Sequence, residues 1–213
     1  MYQNLLGDAQ VHEFLFLCDW DLAMEARRGG CGWCGGRVDQ ANYPRKPRGF
    51  SGLLGAECVR LSLCCAVEGC RRRLTPPSVR FLGRRVYFGA VVVVMAAMGR
   101  RGARAKQRLR ERVGVSLRTL ARWRRWWRTS FARSRFWKAA RGRFTGRLPA
   151  AGLPHVLLGR FPGDARSRLI ALLRFLSPIT TESAPECAGS LRRRITRGAA
   201  RRRRAVQSER ASD

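Results

Sequence analysis

The chain has 213 residues, room for one medium domain or two small ones. Its 44 Lys+Arg against 14 Asp+Glu leave a formal net charge of +30, a balance that favours a polyanionic partner, because each neutralised phosphate releases condensed counterions. Arginine carries the charge, since the only lysines are Lys46, Lys106 and Lys138. The longest apolar run, Val86 to Met98 with Tyr87 and Phe88, is too short for a bilayer core of about 30 Å and is flanked by arginines, so it reads as a buried helix and no membrane span is expected.

Residues 1–28 are mildly acidic and apolar, centred on Val11 to Leu17, and read as a short helix or strand packing on the cysteine-rich segment after it. With Asp8, Glu13, Asp19, Asp21 and Glu25 and no basic n-region, this stretch does not read as a signal peptide. The cysteines are accordingly expected to be metal ligands or free thiols rather than a disulfide framework. Residues 29–77 hold most of them, with many glycines, and Pro76-Pro77 closes the segment. Ser78 to Met98 reads as a helix with an apolar face, and Arg100 to Trp137 is intensely basic and interleaved with tryptophans. From 149 to 180 there are two apolar-periodic stretches. The second, Asp164 to Leu176, sets Leu169, Leu172, Leu173 and Leu176 at helical spacing behind an Asp164 cap. It closes the core or mediates dimerisation. Residues 181–213 are poor in apolar side chains and dense in arginine, as expected of a disordered basic tail.

Gly30-Cys31-Gly32-Trp33-Cys34-Gly35-Gly36 has the chemistry of a metal knuckle. Two thiolates three positions apart grip one ion only if the backbone turns tightly, and the flanking glycines permit that turn. A second cluster, Cys64-Cys65-Ala66-Val67-Glu68-Gly69-Cys70, completes the four ligands that tetrahedral zinc takes in closed structural sites. The assigned set is Cys31, Cys34, Cys65 and Cys70. Cys64 is the alternative third ligand, because only one of two adjacent strand residues can face the metal. Cys58 is a weaker candidate, and Cys18 and Cys187 read as free. A unit of about 50 residues has little core of its own, so the zinc would be structural, supplying folding energy. His12, alone in an apolar stretch, reads as a core or surface residue.

From Lys106 to Trp123 the sequence has the pattern of a helix-turn-helix. Gly114 ends the first helix and Ser116 caps the second, while Leu109, Val113, Val115, Leu120 and Trp123 supply contacts across the turn. The second helix, Leu117 to about Arg128, would be the recognition helix. Arg118, Arg122 and Arg125 share one face, with Thr119 alongside, and arginine pairs bidentately with guanine in the major groove. Arg124 and Arg128 fall on another side, where phosphate contacts are expected. Trp123, Trp126 and Trp127 at helical spacing read as core rather than as a stacking platform for single strands.

A Cys-x2-Cys knuckle, a strand, a second cysteine cluster, Arg71-Arg72-Arg73-Leu74-Thr75-Pro76-Pro77 and an apolar helix together resemble the N-terminal zinc ribbon of bacterial insertion-sequence transposases. The resemblance covers roughly Cys31 to Trp127. It departs at the second knuckle, which is wider than Cys-x2-Cys, and at Arg110, where the helix-turn-helix usually has a small residue. In that family a ribbon and a helix-turn-helix grip the element's ends ahead of the catalytic domain. Beyond Cys70 the acids are Glu111, Asp164, Glu182, Glu186, Glu209 and Asp213, a poor source for a carboxylate triad holding magnesium, so no enzyme activity is expected.

The expected fold class is mainly α with a small β zinc ribbon (α+β). Its parts are an N-terminal segment 1–28, the ribbon 29–77, a helix-turn-helix region 78–148, C-terminal helices 149–180 and the tail. The expected partner is duplex DNA, with a homodimer or a transposition-complex partner as the further assembly, no membrane, and a cytoplasmic, nucleoid-associated place in a bacterial cell. A transcriptional regulator with the same modules and an RNA-binding zinc-ribbon protein are the alternatives.

Overall fold

A computed structural model of the chain describes residues 2–48, 58–82, 87–98 and 103–181. After a single turn, α1 (Tyr2–Leu5), Asp8 opens the long helix α2 (Ala9–Arg28), its carboxylate accepting from the amides of Gln10 at 2.9 Å and Val11 at 3.4 Å. Val11, His12, Leu15, Cys18, Asp19 and Ala23 face inward at helical spacing. The N-terminal segment is thus one 20-residue helix rather than a short element. His12 is a core residue, with Nε2 2.9 Å from the Leu6 carbonyl and its ring beside Phe88.

Among the described residues five short strands come after α2. β1 (Val38–Gln40), β4 (Leu63–Cys65) and β5 (Arg73–Leu74) form an antiparallel sheet in the order β1-β4-β5, while β2 (Tyr43–Pro44) pairs with β3 (Val59–Arg60). The register sets Val38 opposite Cys65 and Asp39 opposite Cys64. Side chains alternate across a strand. The pleat therefore turns Leu63 and Cys65 to the buried face, where they meet Cys31 and Val38 in a small apolar cluster of their own.

The helical body has a larger core. α3 (Gly89–Ala97) is buried on every side over Gly89–Ala96, the buried helix expected of the Val86 to Met98 run, and it runs through the core. The helix expected from Ser78 begins only at Gly89. Upstream, the amide of Ser78 donates to Thr180 Oγ1, that of Val79 to Asp19 Oδ1, and those of Arg80 and Phe81 to Ser78 Oγ. The Arg80 carbonyl accepts the Gly89 amide at 2.6 Å and Phe81 bridges to Phe88, which holds the segment out of a helical ladder. The carboxylate of Asp19 also accepts Ser78 Oγ at 2.6 Å and the buried Arg80 Nε at 2.8 Å, joining α2 to the chain that leaves the sheet.

α4 (Ala103–Val113) and α5 (Leu117–Trp126) come next, and α5 runs on as a π-helical turn, Trp127–Phe131, which brings Trp127 and Phe131 into edge contact at 4.7 Å. α6 (Arg135–Ala140), α7 (His155–Leu158) and α8 (Ala165–Leu176) complete the body. Asp164 caps α8 through the Ser167 amide, and Leu169, Leu172, Leu173 and Leu176 are fully buried, so α8 closes the core. The whole is a mixed α and β architecture, mainly helical, with small antiparallel sheets. Among the described residues no helix is long and apolar enough to cross a membrane. The arginine-rich tail lies, from residue 182, outside the described residues.

Candidate metal centre and basic helix

Two loops build the cysteine site. In the first, the amide of Cys31 donates to the Gly36 carbonyl and that of Gly35 to the Cys31 carbonyl, both at 2.8 Å, closing a tight turn around Cys31 and Cys34. Gly36 is required there, because a Cβ would come within 2.3 Å of the Val67 side chain and 3.3 Å of Cys34 Sγ. In the second, Cys65 ends β4, the chain turns through Gly69 at φ 80°, and the Cys70 amide donates to the Val67 carbonyl. Val67 seated over Gly36 locks one loop to the other.

The result is four sulfurs within 4.8 Å of one another, those of Cys31, Cys34, Cys65 and Cys70, with Cys31–Cys70 at 3.7 Å and Cys34–Cys65 at 3.4 Å. A tetrahedral thiolate site with bonds of about 2.3 Å sets its sulfurs about 3.8 Å apart, so the donor set fits one such ion. Cys64 is excluded by the pleat, its Sγ lying 3.4 Å from the Arg71 carbonyl on the other face. Cys58 sits outside the cluster beside β3, Cys18 is buried on α2 with the Arg174 guanidinium at 3.1 Å, and Cys187 lies outside the described residues.

The thiols are not equivalent. Burial raises Cys31, but the amides of Cys34 and Trp33 together with the thiols of Cys34 and Cys70 outweigh it and lower the pKa to about 7. Cys65 is pushed up to about 12 by burial and then by the neighbouring thiols of Cys34, Cys70 and Cys31. For Cys70 the Arg72 amide favours the thiolate, but burial and the sulfurs of Cys34 and Cys31 together raise the pKa. Four thiolates this close repel one another, and a bound cation relieves that repulsion.

The second candidate site is α5. Gly114, at φ 65°, turns the chain out of α4, and Ser116 caps α5 by accepting the Thr119 amide at 3.1 Å. Leu109, Val113, Val115, Leu120 and Trp123 are all buried across this turn, and Trp127 is buried one turn further on. With Leu120, Trp123 and Trp127 inward, Arg118, Arg122 and Arg125 lie exposed on the opposite side. Thr119 is half-buried, its hydroxyl 3.1 Å from that of Ser116.

Arg124 departs from its expected place among phosphate contacts. It is half-buried and donates to the Met98 carbonyl, tying α5 to the end of α3. Leu117, Ala121, Arg124, Arg125 and Arg128 line an open groove of about 400 Å³ along this flank. Sequence reasoning also missed Tyr87, whose hydroxyl donates to the Gly114 carbonyl and whose ring meets Trp123 edge-on at 5.0 Å. No local signal marks it, because the turn it pins is 27 residues away. Asp19 carries a more legible signal, being a carboxylate on the inward side of an apolar helix.

Comparison of the chain with family models, with curated proteins and with solved structures finds no match. Fold and site define an α and β protein with a four-thiol candidate metal centre and an exposed arginine face on a capped helix.

Proposed function

We propose that this chain is a zinc-dependent protein that binds duplex DNA through α5, acting with a mobile element as an accessory factor or as a transposase remnant without a catalytic domain. One observation supports the reading most. Arg118, Arg122 and Arg125 project from one side of a helix whose other side is anchored by Leu120, Trp123 and Trp127, after a turn held by Gly114, Ser116 and Tyr87. A rigid support of this kind lets guanidinium groups enter a major groove in fixed register, with bidentate pairing to guanine available to each. In this reading α4 and α5 form a helix-turn-helix and the cysteine sheet is a zinc ribbon. Cys31, Cys34, Cys65 and Cys70 would hold the ion, which supplies folding energy and no reaction chemistry.

A second reading, an RNA-binding zinc-ribbon protein, draws on Trp33. Its indole is exposed at the first cysteine loop with the Arg72 guanidinium 5.0 Å away, an arrangement suited to stacking an unpaired base.

Fluorescence anisotropy across a salt series separates these. Arg118→Ala and Arg122→Ala are expected each to cost about 1–3 kcal/mol on a preferred duplex, with Arg141→Ala as the exposed control that moves only the salt slope. Equal losses from all three, or equal affinity for duplex DNA, duplex RNA and single strands, would reduce the chain to a nonspecific polycation. Loss confined to Trp33→Ala on single strands would favour the second reading. Native mass spectrometry should count one zinc per chain, absent from Cys31→Ser and Cys65→Ser.

A further inference from the structure

The outward face of α2 differs from the rest of this cationic protein. Phe14, Leu17 and Trp20 are 37%, 53% and 38% exposed and are three of the six large apolar side chains left open among the described residues. Glu13 and Asp21 flank Leu17 one turn to either side, with Glu25 a further turn on, all exposed. None of the three acids makes an ion pair among the described residues, whereas Asp19 pairs with Arg80, Asp39 with Arg37 and Glu111 with Arg110. The face thus combines aromatic surface with unpaired carboxylates, a surface chemistry that guanidinium groups match by stacking and forked hydrogen bonding together. Two guanidinium groups already lie over aromatic rings of α2, Arg174 over the exposed Phe14 at 5.6 Å and the buried Arg80 over Phe16 at 4.8 Å.

We propose that the C-terminal arginine segment of this same chain, residues 192–204, docks on the acidic and aromatic outer face of α2. Residues 182–213 carry nine arginines against four acids. The point of departure lies beside α2, on its buried side at Asp19. Thr180 Oγ1 accepts the Ser78 amide at 2.8 Å, and the hydroxyl of the same Ser78 donates to Asp19 of α2 at 2.6 Å, so the described chain ends at Thr181 beside that helix. Twenty residues separate Thr181 from Arg201, a coil reach of about 25 Å against a helix about 30 Å long. Tethering at this range holds the arginines at an effective concentration of order millimolar, enough for weak exposed pairs to add up. The positive charge elsewhere on the protein repels the segment and leaves α2 as the place where it is attracted. A polyanion would compete for the same arginines, so the contact would release the segment when nucleic acid is present. The docking itself stands independently of any DNA-binding role.

The test is hydroxyl-radical footprinting of the full chain without nucleic acid, read by mass spectrometry at Phe14 and Trp20. Trp33, 46% exposed and in the first cysteine loop rather than on α2, is the internal control. A full-length variant carrying Arg192→Gln, Arg193→Gln, Arg194→Gln and Arg201→Gln through Arg204→Gln is expected to label Phe14 and Trp20 about threefold faster, with Trp33 unchanged. Salt of about 1 M, which shortens the screening length to about 3 Å, should do the same to the parent. Equal labelling of parent and variant overturns the proposal. So does protection that persists in the variant and disappears on dilution, because a second copy of the chain would then be the occupant. Glu13→Lys with Asp21→Lys in the full chain gives the reciprocal check, with faster tryptic cleavage after Arg194 and Arg204 expected.

Discussion

The cysteine sheet and the helical body are held together by different means. Around the sheet the buried apolar cluster is Cys31, Val38, Leu63 and Cys65, half of it cysteine. The body buries a continuous core, from Leu6 and Val11 through Val91–Met95 to Leu176, with Trp123, Trp127, Phe131 and Trp137 at its centre. Burial of apolar surface stabilises at about 25 cal/mol per Å², so the body can stand on its side chains alone while the sheet cannot. The sheet's remaining resource is the mutual geometry of four sulfurs. The difference teaches that one chain can specify one region by packing and another by ligand spacing, and the two should fail separately.

The largest effect expected is on that separation. If the four cysteines hold zinc as proposed, chelation, or Cys65→Ser, removes a contribution that in structural zinc sites is about 10–16 kcal/mol near neutral pH. Hydrogen exchange should then become fast in β1 and β4 while α8 stays protected. Simultaneous loss of both regions would show that the body depends on the sheet after all.

Next comes the joint between the regions. Asp19→Ala takes the carboxylate from the buried Arg80 guanidinium and the acceptor from the Val79 amide, a change that costs about 3–5 kcal/mol when one partner of a buried pair is removed. The melting temperature of the body should fall steeply while the metal content of the chain stays that of the parent. A loss below about 1 kcal/mol would rank Asp19 with surface pairs and would leave α2 held by packing alone.

Smaller and more local, Ser116→Ala takes the side-chain acceptor from the Thr119 amide and should cost about 1 kcal/mol in urea unfolding, with the metal site unaffected. The smallest effect concerns pH. The Ser167 amide, and then its hydroxyl, hold Asp164 below the usual aspartate range at the exposed start of α8. A carboxyl whose folded pKa is depressed contributes stability above its unfolded pKa, and the contribution is lost as pH falls through the folded value. Asp164→Asn should therefore flatten the acid limb of the stability curve and leave the neutral plateau nearly unchanged. An unchanged acid limb would assign acid sensitivity to other carboxylates.

What the sequence by itself determined was local. Gly114 and Ser116 punctuate α4 and α5 as their chemistry requires, Asp164 caps α8, and the glycines around Cys31 and Cys34 permit the turn that brings two thiols together. Caps, turns and periodicity act within a few residues, so they are legible in one dimension. Tertiary structure decided the rest. Cys65 rather than Cys64 joins the cluster because pairing with β1 orients the pleat. Ser78 to Leu82 is not helical because the Arg80 carbonyl and Phe81 pair with Gly89 and Phe88, while Asp19, 59 residues from Ser78, and Thr180, 102 residues away, hold Ser78 in place. Arg124 turns inward because the end of α3 offers it the Met98 carbonyl. Each of these choices is made by a partner distant in the chain, and only the closed fold brings that partner within hydrogen-bonding range.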